Sequence, residues 1–170
     1  MKTCTITDAN VYVDGTSAHG QATEVTLPDI ANAKVDYKAL GMVGTSKIFT
    51  GFDALEATIK WSAAEAEVLK AIADPFAVVA LMIRSSRAVY ENGSLSEEQP
   101  IVYHIKAKIG NLNLGSLKKG DLNEQETKLD VSYIQLIQNG EEVFELDVDN
   151  NIFVVGGVDK LAAYRENLGI

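Results

Sequence analysis

The chain has 170 residues, enough for one domain with an ordinary buried core, and 46% apolar with 23% charged residues excludes a largely disordered polymer. A formal net charge of -9 argues against a general nucleic-acid binder, which needs a basic surface for phosphates. Cys4 is the only cysteine, so no internal disulfide can form. The opening Met1-Lys2-Thr3-Cys4-Thr5 lacks the apolar stretch of a signal peptide and predicts cytoplasmic synthesis. The longest apolar run, Phe76–Ile83, is too short to span a bilayer.

In chain order, period-2 alternation predicts a series of half-buried strands. Val11 and Val13 oppose Tyr12 and Asp14, and Thr23, Val25 and Leu27 repeat the pattern before Pro28. Leu55, Ala57, Ile59 and Trp61 alternate with Glu56, Thr58 and Lys60. Ser62 with Glu65 three residues on reads as a capping box, and Ala64, Val68, Leu69 and Ile72 give the following helix an apolar stripe. Asp74-Pro75 ends it. Ala77–Ile83 is apolar at nearly every position and reads as a strand covered on both faces. Ile101, Tyr103, Ile105 and Ile109 form the next apolar row, and Leu129, Val131 and Tyr133 another. Asn139-Gly140 supplies the two positive-φ positions of a type I′ hairpin, with Val143–Val148 returning. After Gly156-Gly157 a C-terminal helix is predicted over 159–170, carrying Leu161, Tyr164 and Leu168 on one face and ending at Gly169.

From 29 to 50 this patterning fails. Ala39-Leu40-Gly41-Met42-Val43-Gly44 is apolar without a strand register, which reads either as a loop folded back on the core or as an arm that buries itself on a neighbour. Gly110–Asn123 reads as a polar loop. The elements predict one mainly β domain over 1–170, a β-sandwich or partly closed barrel with a central helix and a short C-terminal helix.

No pattern of catalytic or metal-binding residues emerges. The two histidines, His19 and His104, sit in no zinc-ligand spacing. Asp147-Val148-Asp149-Asn150-Asn151 begins like a calcium loop, but Ile152 stands where the turn glycine belongs and Val158 where the bidentate glutamate does. Gly115 and Gly120 have the spacing of a phosphate loop, yet Asp121-Leu122 follows in place of Lys and Ser/Thr. Gly15-Thr16-Ser17-Ala18-His19-Gly20 misses a nucleophile elbow by one position. Asn92-Gly93-Ser94 is a glycosylation sequon without secretory context. The expectation is a protein that is not an enzyme and holds no cofactor or metal.

Several segments in order carry a resemblance: Asn10-Val11-Tyr12-Val13-Asp14-Gly15, Val25-Thr26-Leu27-Pro28, Tyr37 with Ala39-Leu40-Gly41-Met42, and Gly51-Phe52-Asp53-Ala54-Leu55-Glu56-Ala57. Asn139-Gly140 with Glu142, Glu145-Leu146-Asp147, Gly157-Val158-Asp159 with Leu161, and Arg165 with Asn167-Leu168-Gly169-Ile170 complete it. Their order and spacing resemble the major tail tube proteins of P2-like contractile phages and R-type pyocins. The resemblance spans nearly the whole chain and is weakest over 65–98.

It implies a structural subunit that forms hexameric rings with a shared inner β-barrel. The rings would stack into a hollow tube inside a contractile sheath and conduct DNA in a phage or ions in a pyocin. Implied partners are further copies of the chain, the sheath protein, and the baseplate tube-initiator, tape measure and tail terminator proteins. DNA would pass without sequence-specific binding, and a target membrane would be met only on penetration. The implied location is a virion tail or tailocin particle, assembled in the bacterial host cytoplasm. Two alternatives stand beside it: a type VI secretion-like tube protein, which shares the fold, and a β-sandwich ligand-binding module. On this reading Tyr37, Ala39, Leu40, Gly41, Met42, Val43 and Gly44 form an inter-subunit arm within 29–50. Glu56, Glu126 and Asp130 are candidates to face the lumen as rings of negative charge, and Lys160, Arg165 and Glu166 to face the sheath.

Overall fold

A computed structural model describes residues 1–62 and 64–170. Strand β1 runs Lys2–Val13, followed by β2 at Thr16–Ser17 and β3 at Ala22–Thr26. β4 (Asn32–Tyr37) and β5 (Ser46–Phe52) precede β6 (Leu55–Trp61) and helix α1 (Ala66–Ile72). The long strands β7 (Val79–Glu91), β8 (Ser94–Asn113) and β9 (Gln125–Gln138) come next. β10 (Glu141–Asp147), β11 (Ile152–Val155), β12 (Val158–Asp159) and helix α2 (Ala162–Leu168) close the chain. The fold is mainly β, as the alternation predicts.

Every strand pairing is antiparallel, and the main sheet runs β12-β11-β10-β9-β8-β7-β1-β2. β9 organises it. One edge of β9 pairs with β8 along its length. The other edge is shared: Gln125–Val131 pairs with β6, and Tyr133–Gln138 with β10. Ser132 lies at the switch, skipped in the register with β8, and its carbonyl accepts the Val148 N–H at 3.0 Å. β3 continues the β6 branch. The sheet therefore forks and stays open instead of closing on itself. β4 and β5 form a separate two-stranded sheet.

The core lies between these branches. Val11, Val13, Ile59, Trp61, Ile105 and Leu129 are among its buried side chains, with Val68 and Ile72 of α1 over one end. Trp61 donates its indole N–H to Thr127 at 3.1 Å inside this core.

Several expectations need correction. No capping box forms. α1 begins at Ala66, and Gln21 takes over: its side-chain oxygen accepts the Glu65 N–H at 2.9 Å, while its carbonyl accepts the Ser62 N–H. The run near residue 80 is covered on one face only. Val79, Leu81 and Ile83 are buried, whereas Ala80 is exposed and Phe76 and Val78 lie before the strand in solvent. Skipping Ser132 moves Tyr133 to the face opposite Leu129 and Val131. The C-terminal helix is shorter than 159–170, because Val158–Asp159 pairs with β11 first. Only Leu161 of its apolar face is half-buried, and Tyr164 and Leu168 are exposed. Finally, Asn92-Gly93 is a tight turn like Asn139-Gly140, with φ of 51° and 84°. It joins β7 to β8, a hairpin that the alternation did not reveal.

Candidate assembly surfaces

Residues 29–50 contain a β-hairpin where the sequence pattern suggested none. Val35 stands directly opposite Ile48, and Tyr37 opposite Ser46. Val35, Tyr37 and Ile48 consequently share one face, and each is about half exposed. Lys34, Asp36, Lys47 and Phe49 lie on the other. The turn carries Ala39, Gly41 and Gly44 in the open, with Leu40 and Val43 fully exposed and Met42 38% exposed. At its root the hairpin is anchored by aromatic edge contacts, Phe49 on Phe52 at 5.2 Å and Phe52 on Phe153 at 5.0 Å.

The β3-β6-β9-β8 surface brings Glu56, Glu126 and Asp130 onto one polar face, the reverse of the buried row Leu55, Ala57, Ile59 and Trp61. Glu56 lies directly across from Asp130. The face is not uniformly acidic, however. Lys60 sits between Glu24 and Glu126 in register, and Lys108 stands opposite Asp130. Lys60 reaches Glu24 at 2.9 Å and Lys128 reaches Glu126 at 3.9 Å. The hydrogen bond it donates to Glu24 holds the Lys60 ammonium above its ordinary pKa. The alternation predicted which face is polar, but cross-strand register decided which charges meet.

Farther along β9, beyond the skipped residue, Tyr133 hydrogen-bonds Glu145 at 3.1 Å and Lys106 lies 5.1 Å over its ring. Burial, then the Glu145 hydrogen bond, pushes the Tyr133 phenol up to about 12.

The C-terminal segment divides the three residues expected to face outward. Lys160 and Glu166 are exposed. Arg165 instead turns back to the fold, pairing with Asp159 and donating to the Asn151 carbonyl at 2.8 Å. That guanidinium, through its hydrogen bond, holds the Asp159 carboxyl below the usual carboxylate range.

The segment expected to be a polar loop yields a further surface. β8 runs on to Asn113, and Leu114, Leu117 and Leu122 are exposed beyond it beside Lys118 and Lys119. Spacing alone could not have separated these leucines from core residues.

Among the described residues no three His, Cys, Asp or Glu side chains are grouped to hold a metal ion. No described helix is long and apolar enough to cross a membrane.

Comparison with known proteins adds the following. The family described as "Phage tail tube protein FII" matches residues 3–169. The tail tube protein of Escherichia phage P2 is 28% identical over 163 residues, 95% of this chain and 94% of that one. Among solved structures, a chain in the sheath-tube complex of an extracellular contractile injection system, PVC, superposes with a TM-score of 0.55 at 15% identity. It covers 76% of this chain and 87% of that one. A chain in the sheath/tube terminator structure of that system gives 0.54 at 14% identity, over 77% and 94%.

Proposed function

This chain belongs to the phage tail tube protein FII family and is a structural subunit of a tail tube, and on that premise we propose that its copies close into hexameric rings which stack as a hollow conduit within a contractile sheath. The family match over 3–169 is the observation that carries the reading. The open sheet supports ring closure. β2 covers only Tyr12 and Val13 of β1, which leaves the edge from Lys2 to about Asn10 without a strand, and β3 has a partner on one side only. Two free edges at opposite ends of one forked sheet are an aggregation liability in a lone subunit and a joint in a ring.

In this reading the subunit does no chemistry. The face bearing Glu56, Glu126 and Asp130 lines the lumen, where its lysines are matched by carboxylates, so DNA meets no run of free cations. The Tyr37–Gly44 turn is an assembly arm, and Lys160 and Glu166 look outward to the sheath. Arg165 contributes by holding that end of the chain in place. The tube-initiator, tape measure and terminator proteins would meet the tube at its ends or along its bore. The particle is a phage tail or a tailocin, put together in the host cytoplasm.

Negative-stain microscopy of the purified chain tests this directly. Rings or tubes are expected, and monodisperse monomers at high concentration would refute it.

A further inference from the structure

Among the described residues, two uncovered apolar surfaces lie at opposite ends of the same hairpin. The first is the β4–β5 ribbon, with Val35, Ile48 and Tyr37 on one face and Leu40 and Val43 at the tip. A two-stranded ribbon is at best marginally stable in water unless something packs on its apolar face.

The second is a cleft of about 420 Å³ between the hairpin root and α2. Phe49, Leu146, Val148, Leu161 and Tyr164 line it, and Asp147 opens onto it. Its α2 wall is open to solvent on the outside, since no residue of α2 is buried.

The charges around the two surfaces are opposite. Lys38 and Lys47 flank the tip, with Asp36 directly across from Lys47, which leaves the tip net positive. Asp147 sits in the cleft, and Asp149 lies exposed two residues on. The hairpin cannot satisfy its own root. Six residues of strand carry the tip roughly 20 Å away.

We propose that the cleft of one copy receives the hairpin tip of a second copy, Leu40 and Val43 entering it while Lys38 and Lys47 meet Asp147 and Asp149 at its rim. This rests on the reading of Tyr37–Gly44 as an assembly arm and names the surface that the arm seeks. The contact is head-to-tail: every copy offers one tip and one cleft, so binding leaves a tip and a cleft free, to close a ring or to extend a stack of rings.

Site-directed cross-linking tests it in the full chain with Cys4→Ser. Tubes of the Leu40→Cys/Tyr164→Cys variant are treated with a short bismaleimide and resolved on a denaturing gel. A ladder extending past the dimer is expected. Mixing the two single variants should give dimers only, and Leu40→Cys with Leu117→Cys should give no ladder. Val43→Cys with Val148→Cys is the second pair should the first variant fold poorly, as judged by circular dichroism. Tubes that form without a Leu40–Tyr164 or Val43–Val148 ladder overturn the cleft, as does a ladder with Leu117. Either result leaves the arm to be judged by Leu40→Asp/Met42→Asp, whose normal polymerisation would overturn the arm itself. A chain that never assembles overturns both.

Discussion

Thr127 is fully buried, and its hydroxyl accepts the indole N–H, the one polar group of the Trp61 side chain. Thr127→Val keeps the shape and strands the indole N–H, at a cost of about 1–3 kcal/mol. For a chain of this size each kcal/mol lowers Tm by roughly 2–4 °C, which a thermal melt will register. Gly115 is constrained differently. Its φ is 74°, and a Cβ there would lie 2.2 Å from the Glu124 carbonyl oxygen. Gly115→Ala should cost about 1–2 kcal/mol for the left-handed backbone alone, before any clash. Its effect belongs to the loop, so hydrogen exchange over 114–124 should rise. Tyr133 makes a pH prediction. Its folded pKa, about 12, lies above the ordinary 10.0, so the neutral phenol is favoured by folding. That contribution is whole below pH 10 and disappears as pH rises through 12. Tyr133→Phe should flatten the stability profile in this window, measured by denaturant melts at stepped pH.

At the scale of elements, the β4–β5 hairpin stands apart from the core. Leu40→Asp/Met42→Asp should leave the circular dichroism and melt of the subunit nearly unchanged while abolishing tubes in the electron microscope. Unfolding would place the turn in its own core instead. The C-terminal segment calls for a narrower test than charge reversal at both basic residues. Reversing Arg165 would break its pair with Asp159, a defect unrelated to any partner. Lys160→Glu alone is the informative change, and weaker sheath assembly is the expected result. These two elements also show what was legible in the sequence. The rows Leu55–Trp61 and Val11–Val13 could be read because each apolar residue meets the core at period two. The hairpin over 32–52 could not, since only its root at Phe52 packs against the main core and the alternation beyond it answers to nothing within the chain. Tyr133 was misassigned for a local reason: one skipped residue inverts the face of everything after it, and Ser132 carries no composition signal for that. Gln21 capping α1 from 44 positions away was beyond any local motif.

Across the whole molecule, the polar face of β3, β6, β9 and β8 sets the electrostatics of the proposed bore. Among its named groups, four carboxylates (Glu24, Glu56, Glu126, Asp130) face three lysines (Lys60, Lys108, Lys128). Glu56→Lys/Asp130→Lys changes that to two carboxylates against five lysines. Tubes should still form, and DNA delivery should slow in an ejection assay, because each phosphate neutralised adds salt-dependent affinity. An assembled-tube structure with these carboxylates outside the channel would remove the basis of this prediction.

The forked pairing of β9 also sets a schedule for synthesis. β6 finds its main partner only when β9 exists, since Trp61 pairs with Gln125 and Leu55 with Val131. At 5–20 residues per second the ribosome needs about 3–13 s to travel from one to the other. During that interval β6, with Leu55, Ala57, Ile59 and Trp61, has only β3 beside it. β1 is in the same position until β7 emerges. The amino-terminal third thus waits longest for its pairing partners. A slowed codon stretch placed just before β9 should lower soluble yield, whereas the same stretch placed after β10 should not.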